Sequence, residues 1–470
     1  MWRFLVALIG CLAACGGTPP APSCPNCNVV LVTFDALRAD RLGAYGHDKP
    51  TSPAIDAFAA RSTVFANSMS QCGSTAGSIP SILTSRFVVA DRLLDGLTLR
   101  ADQPTMATIL RAKGYRTLAV IAHQYARCAY SGCAGFDVAE DRFPAVESAS
   151  RTAERVSRML ETEARAPFFL WVHVRQPHAP YDIDAQEFTA MYAGDAGALT
   201  YVSPEVRTLA FIPATEALVR HYREMGEPVT GARVLDGQAH DVTPTVIRQL
   251  QALYDANVRA GDRVFAQILE QLERRGLAAR TIVVLAADHG ESLGQHNWFG
   301  HNRLWQGILH TPLIVYVPGA PHRTIDAPVM NVDILPTITR LVGAPLATSV
   351  RGRDLFGPRD ADDVQYAEYS TSYVVVQRQA KAQVVVARKK PTAPPVAGVI
   401  PTVQGLWDLE SDPGEEKNLL KERPELAARL LAAGEALRSR NLGSDAPVPQ
   451  DIRERLRALG YIAPDAPRDD

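Results

Sequence analysis

Apolar residues in this chain fall in short unbroken runs, and each run stops at a polar cluster. "NVVLVTFDALRAD" ends its run at Phe34-Asp35, and "PFFLWVHVRQPHAPYD" runs into a loop rich in histidine and proline. "TIVVLAADHGES" and "TPLIVYVPG" repeat the pattern. Continuous runs, rather than strict alternation, are what strands buried on both faces require. Helical spacing lies between them. "TMATILRAKGYRTLAVIAH" predicts a helix stopped at Gly114 and then a strand, and "VIRQLQALYDANVRAGDRVFAQILEQLERRGL" predicts a long amphipathic helix. Strands alternating with helices give an α/β class with a largely parallel central sheet flanked by helices. In such sheets ligands bind beyond the carboxyl ends of the strands, which is where the polar clusters fall. Residues 184–240 show no clear period and are expected to be a variable insertion over the site. After residue 365 the pattern changes. "YVVVQRQAKAQVVVARKK" predicts an antiparallel hairpin or meander, and "GLWDLESDPGEEKNLLKERPELAARLLAAGEALRSR" a strand, a turn and a helix. The organisation expected is a main domain over 28–364 and a small C-terminal α+β subdomain over 365–470.

The first residues are not expected to belong to the fold. "MWRFLVALIGCLAAC" carries one early positive charge, an apolar run and small residues before Cys15, the pattern of an export signal over 1–14. "LAAC" also matches a bacterial lipoprotein box, which makes Cys15 the lipidation site and 15–27 a Pro/Gly-rich tether. The expectation is an exported protein held to a membrane by its N-terminus, facing the periplasm or the cell surface. Formal net charge is -2 and no basic run occurs, so nothing points to nucleic acid as a partner. Among the cysteines, Cys24/Cys27 and Cys128/Cys133 are close enough in sequence to close small loops in an oxidising compartment, and Cys72 is left over.

Three polar clusters carry candidate chemistry. Asp288 and His289 sit at the end of a run, with Gly290 allowing a tight turn, and a hard oxygen beside an imidazole nitrogen suits a divalent cation. His301 lies in a Gly/Asn-rich loop able to fold back on them. Asp35 ends another run. His173 is preceded by apolar residues, as a core histidine would be, whereas His178 between two prolines is better placed to face a cleft. Each cluster also has a structural explanation, as a turn cap or a core residue.

Taken in order, these stretches resemble the sulfatases of the alkaline-phosphatase superfamily. The likeness covers "NVVLVTFDALRADRLGAYG", "TSPAIDAFAARSTVFANSMSQ", "PHAPYD", "ADHGESLGQH", "TPLIVYVPG" and "VDILPTITRLVG", with "LWDLESDPGEEKNL" and "RALGYI" resembling the C-terminal subdomain. The resemblance implies a sulfatase-like catalytic domain acting on an anionic sulfate or phosphate ester. It implies one divalent metal held by Asp35, Asp288 and His289, with the oxygen of the nucleophile completing the set. His178 and His301 match positions that contact the transferring group or protonate the leaving group. Ala36 stands where many sulfatases carry a second aspartate. The remaining four donors, Asp35, Thr75, Asp288 and His289, suit tetrahedral zinc better than calcium, which stays the alternative.

The nucleophile departs from the family pattern. Sulfatases place a cysteine or serine in C-x-P-x-R and oxidise it to formylglycine, but Cys72 is followed by Ser74 and Ala76 instead of proline and arginine. "ILTSR" resembles the "LLTGR" that closes the motif, and that register puts Thr75 at the nucleophile. "CGSTAGSIP" also resembles the loop of phosphoethanolamine transferases, which use an unmodified threonine. Ser78, two residues before Pro80, is the second candidate and Ser74 the third. A structural reading makes Thr75 or Ser78 the cap of a helix starting near Pro80. The motif arginine is missing in either register, although Arg86 lies close by in sequence. Three functions therefore stay open: ester hydrolysis or phosphoryl transfer through Thr75, a formylglycine-type sulfatase using Ser78, and a non-catalytic glycan-binding lipoprotein.

Overall fold

The computed structural model describes residues 21–440, apart from 132, 143–146, 180, 182–219, 221–222, 225, 227, 234–238, 347–349 and 386–400. The export signal, Cys15 and most of the expected 184–240 insertion lie outside the described residues.

Eight strands form the central sheet: β1 (Asn28–Asp35), β2 (Thr63–Phe65), β3 (Arg116–Ile121), β4 (Val138–Glu140), β5 (Phe168–Pro177), β6 (Thr281–Ala287), β7 (Leu313–Tyr316) and β8 (Arg323–Ile325). Their spatial order is β8-β2-β7-β6-β1-β5-β3-β4. β7 alone runs against the others, so the sheet is largely parallel, as expected. β1 lies at its centre with all eight residues buried. Val30, Val32 and Phe34 pack into one core, with Val264 and Phe265 of the long helix Pro244–Arg274. Val29 and Leu31 pack into the other, with Ile79 and Ile82 of the helix Thr75–Thr84. Apolar side chains on both faces explain why the run in sequence is continuous. The cysteines pair as Cys24–Cys27 and Cys128–Cys133, and Cys72 is free and buried. No described helix is long and apolar enough to cross a membrane.

A second sheet begins at Gln365: β9 (Gln365–Tyr369), β10 (Ser372–Gln377), β11 (Ala380–Val385) and β12 (Thr402–Asp408), antiparallel throughout, followed by the helix Pro424–Ser439. A buried ion pair inside this subdomain reaches the main domain through two hydrogen bonds. Lys381 Nζ lies 2.6 Å from Glu415 Oε1, with the two side chains 1% and 2% exposed. Lys381 also donates to the Leu304 carbonyl at 2.6 Å, and the Gln306 amide donates to Glu415 Oε2 at 2.5 Å. The segment held this way follows directly on His301. Replacing Lys381 by methionine strands the Glu415 carboxylate in the interior, so the variant should lose about 3–5 kcal/mol in urea unfolding. Adding Glu415→Gln should restore part of that loss. Equal stability of the single variant and the wild type would show that the pair carries no weight.

Candidate active site

Four neighbouring parallel strands, β6, β1, β5 and β3, end on one edge of the sheet. Asp288 and His289 follow β6, Asp35 is the last residue of β1, His178 follows β5, and His123 lies just beyond β3. The parallel register therefore gathers residues spread over most of the chain.

Thr75 comes from a helix packed on one face of the sheet, of which it is the first residue. That helix does not start near Pro80, as the sequence led us to expect. The Ser74 carbonyl accepts from the Gly77 and Ser78 amides at 3.0 and 2.9 Å, with Ser74 itself extended, so the helix spans Thr75–Thr84 and Pro80 lies inside it. Proline favours the first helical position, where no amide donor is needed, so Pro80 reads in sequence as a start; in the structure it is an interior residue that forgoes the bond to the Ala76 carbonyl. Two of the helix's later hydroxyls are satisfied within it. Ser81 donates to the Gly77 carbonyl and Thr84 to that of Pro80.

The Thr75 hydroxyl lies 3.4 Å from Asp35 Oδ1 and 3.2 Å from His289 Nε2. Asp35, Asp288 and His289 each offer a donor atom, all within 4.8 Å of one another, and all three side chains are buried. Asp288 is oriented by its backbone contacts: Oδ1 accepts from the amides of Ala36 and His289 at 3.1 and 2.7 Å. Its other oxygen, Oδ2, is buried without a hydrogen-bond partner and lies 3.6 Å from His289 Nε2. His289 gives its Nδ1 proton to the Gly290 carbonyl at 2.8 Å, so Nε2 presents a lone pair toward Thr75. Ala36 adopts a left-handed conformation, φ 61°, which turns its amide onto Asp288. These residues fit a divalent cation. The set offers two carboxylates, one imidazole lone pair and one hydroxyl, and Asp35 Oδ2 and Asp288 Oδ2 are orphaned in the interior, where an unpartnered carboxylate oxygen is costly.

The two carboxylates titrate in opposite directions. Burial alone would raise the Asp35 carboxyl, but attraction to His123 and His178 and contacts with His123 and His173 hold it well below the ordinary range. Burial and the charge of Asp35 push Asp288 up to about 7. Like charges this close resist joint ionisation unless a cation lies near.

The remaining candidates are placed as follows. His178 and His301 face each other across the site, with Nε2 atoms 3.1 Å apart, and the His301 loop does fold back, its ring centroid 4.5 Å from that of His289. The Ser78 hydroxyl donates to the Ser74 carbonyl at 3.0 Å, one turn along the helix, and Ser74 Oγ lies 3.5 Å from Cys72 Sγ. Cys72 packs so closely on the helix that a Cβ at Gly77 would lie 2.4 Å from its sulfur, and burial pushes its thiol up to about 11. Ile79, at the arginine position of the motif, is wholly buried. Arg86 lies beyond the far end of the helix, and a rise of about 1.5 Å per residue puts it roughly 15 Å from Thr75. It does not replace the missing arginine. His173, expected as core, is buried with Nδ1 2.9 Å from the Thr33 hydroxyl, yet its Nε2 lies 3.7 Å from Asp35 Oδ2, so it backs the carboxylate. His123 was missed altogether. Its Nδ1 is 2.8 Å from Asp35 Oδ2. It ends the apolar run "TLAVIAH", and the rule that picked out Asp35 and Asp288 would have found it.

A family model, "Sulfatase", matches residues 27–344. The chain belongs to the sulfatase family. It is 24% identical over 365 residues to an ulvan-active sulfatase of Formosa agariphila, covering 70% of this chain and 64% of that one. A choline-sulfatase of Rhizobium meliloti is 26% identical over 284 residues, covering 58% of this chain and 50% of its own. The chain thus spans half to two thirds of the length of these two sulfatases. Among solved structures, a protein in complex with its substrate D-glucosamine-2-N,6-O-disulfate superposes with TM-score 0.69 at 18% identity, over 90% of this chain and 99% of that one. A phosphonate monoester hydrolase of Agrobacterium radiobacter superposes with TM-score 0.66 at 18% identity, over 88% and 95%. Both share the sulfatase fold seen here.

Proposed function

We propose that the protein is a metal-dependent hydrolase of sulfate or phosphate esters, with Thr75 as its nucleophile. The observation that carries this reading is the Thr75 hydroxyl at a helix N-terminus, within 3.4 Å of both Asp35 and His289. Asp35, Asp288 and His289 would hold the cation, and Thr75 would supply a fourth donor, a count that favours zinc. A divalent ion there supplies positive charge that makes the hydroxyl easier to deprotonate and offsets the charge of the transferring group.

The chain's own groups do the rest. The threonine oxygen forms a bond to sulfur or phosphorus as the bond to the ester oxygen breaks, and the alcohol departs with a proton. Water then attacks the same centre, restoring the Thr75 hydroxyl and releasing the inorganic anion. The N-terminus of the helix favours the negative charge that develops at Thr75. His289 is locked by Gly290 in the tautomer that points its lone pair at Thr75. Ser78 spends its hydroxyl on its own backbone, which disfavours the formylglycine reading at that position. The ulvan and choline sulfatases support a sulfate ester as substrate, and the phosphonate monoester hydrolase a phosphorus ester.

Rates on an aryl sulfate, a phosphate monoester, a phosphate diester and a phosphonate ester test the reading, measured after loading with zinc and with calcium. Turnover of at least one ester, faster with zinc, is expected. No turnover of any of them with either metal would sink the proposal.

A further inference from the structure

A row of rings leads out of this site. Centroid to centroid, His289 lies 4.5 Å from His301, His301 5.1 Å from His178, and His178 4.9 Å from His123. The next step, 5.8 Å, reaches Tyr125, and a further 5.8 Å reaches Tyr130. His289 is wholly buried and Tyr125 is 40% exposed, so the row runs from the nucleophile to solvent. Thr75 and His123 contact opposite oxygens of Asp35. Tyr125 therefore stands one ring beyond the carboxylate that touches the nucleophile.

Tyr125 is exposed on a firm support. It belongs to the short turn Gln124–Ala126, and Ala126 is wholly buried in the core that holds Ile79 and Ile82. Ser131 donates to the Ala126 carbonyl at 2.7 Å, and the Cys128–Cys133 disulfide closes the segment that follows. Thr98 donates to the Ala129 carbonyl at 3.1 Å, which joins this segment to a hairpin whose tip carries Leu97, 50% exposed. A lone exposed apolar residue needs no explanation. An aromatic ring fixed at the mouth of a site is different, because a preorganised face loses little freedom when a ligand packs on it.

We propose that Tyr125, backed by Tyr130, is a platform for the alcohol half of the ester, and that it selects an alcohol built on a ring over a short alkyl chain. The inference rests on the preceding reading, in which the anionic group lies at Thr75. The apolar face of the ring, whether of a sugar or of an arene, stacks on Tyr125 while the ester bond stays beside the nucleophile. A short alkyl group ends before it reaches the platform. Tyr125 touches the part of the substrate that does not react, so it supplies binding and selectivity and takes no part in bond cleavage.

Sulfonates and phosphonates test this without reference to activity, because their carbon–sulfur or carbon–phosphorus bond gives the site no ester to cleave. Each acid group is carried in turn on a benzyl tail, a tail attached through C6 of a 6-deoxyglucose, and an ethyl tail. Binding to protein preloaded with zinc is read by isothermal titration calorimetry. At least one ring tail should bind the wild type at least about threefold more tightly than ethyl, the scale of one aromatic stacking contact. Which ring gains more, the sugar or the arene, identifies the occupant, and either supports the platform. The preference should disappear in Tyr125→Ala and persist in Tyr125→Phe, which keeps the ring, with circular dichroism confirming each fold. Ring and ethyl tails bound equally by the wild type, or a ring preference that survives Tyr125→Ala, would overturn the platform and leave the ester reading intact. No binding of any compound with either acid group would refute both readings together.

Discussion

Thr75→Ala should lower turnover at least roughly a thousandfold, the scale on which removal of a nucleophile acts. The side chain lost is small, so unfolding free energy should change by no more than about 2 kcal/mol. Thr75→Ser keeps an oxygen on the same Cβ and should retain measurable activity. Ser78→Ala removes only a hydroxyl bound to the Ser74 carbonyl and should act within a few-fold of the wild type. Near wild-type turnover in Thr75→Ala, or loss in Ser78→Ala alone, would transfer the role to Ser78.

Chelation of the metal should abolish turnover and also change how stability responds to pH. In the metal-free protein, burial and the charge of Asp35 push the Asp288 carboxyl up to about 7, whereas an unfolded aspartate titrates near its ordinary value of 3.8. Between those values the folded state holds a proton that the unfolded state has released. The contribution of Asp288 to the stability of the metal-free form should therefore fall as pH rises from about 4 to 7, by up to roughly 4 kcal/mol. In Asp288→Asn that contribution should disappear, leaving the slopes of other buried groups such as Glu291, whose carboxyl burial pushes up to about 8. The metal-loaded protein should do the opposite and gain stability over the same range, since both carboxylates must be ionised to bind. Parallel pH profiles with and without zinc, read from urea midpoints, would show that the carboxylates do not hold the ion.

How much of this was legible in the sequence depends on what leaves a mark there. β1 and β6 were legible because strands covered on both faces must be apolar throughout. The carboxyl-end rule then delivered Asp35, Asp288, His289 and His178. It would also have delivered His123, but a lone histidine after "TLAVIA" carried no second signal, and only the neighbouring register of β3, β5 and β1 brings it to Asp35. The reversed direction of β7 was not legible, because strand direction imposes no composition. The start of the Thr75 helix was misread because Pro80 imitates a first-turn proline. What fixes the true start is the Ser74 carbonyl, a backbone group common to every residue. The link from Lys381 and Glu415 to the segment after His301 is a long-range pairing that neither stretch announces alone.

The central claim is that the Thr75 oxygen takes the group leaving the ester. Acid quench during turnover, followed by proteolysis and mass spectrometry of the peptide spanning Cys72 to Arg86, tests it most directly. The account predicts a sulfuryl or phosphoryl group on Thr75 with Cys72 and Ser78 unmodified. An adduct on Ser78, or formylglycine at either Cys72 or Ser78, would contradict it.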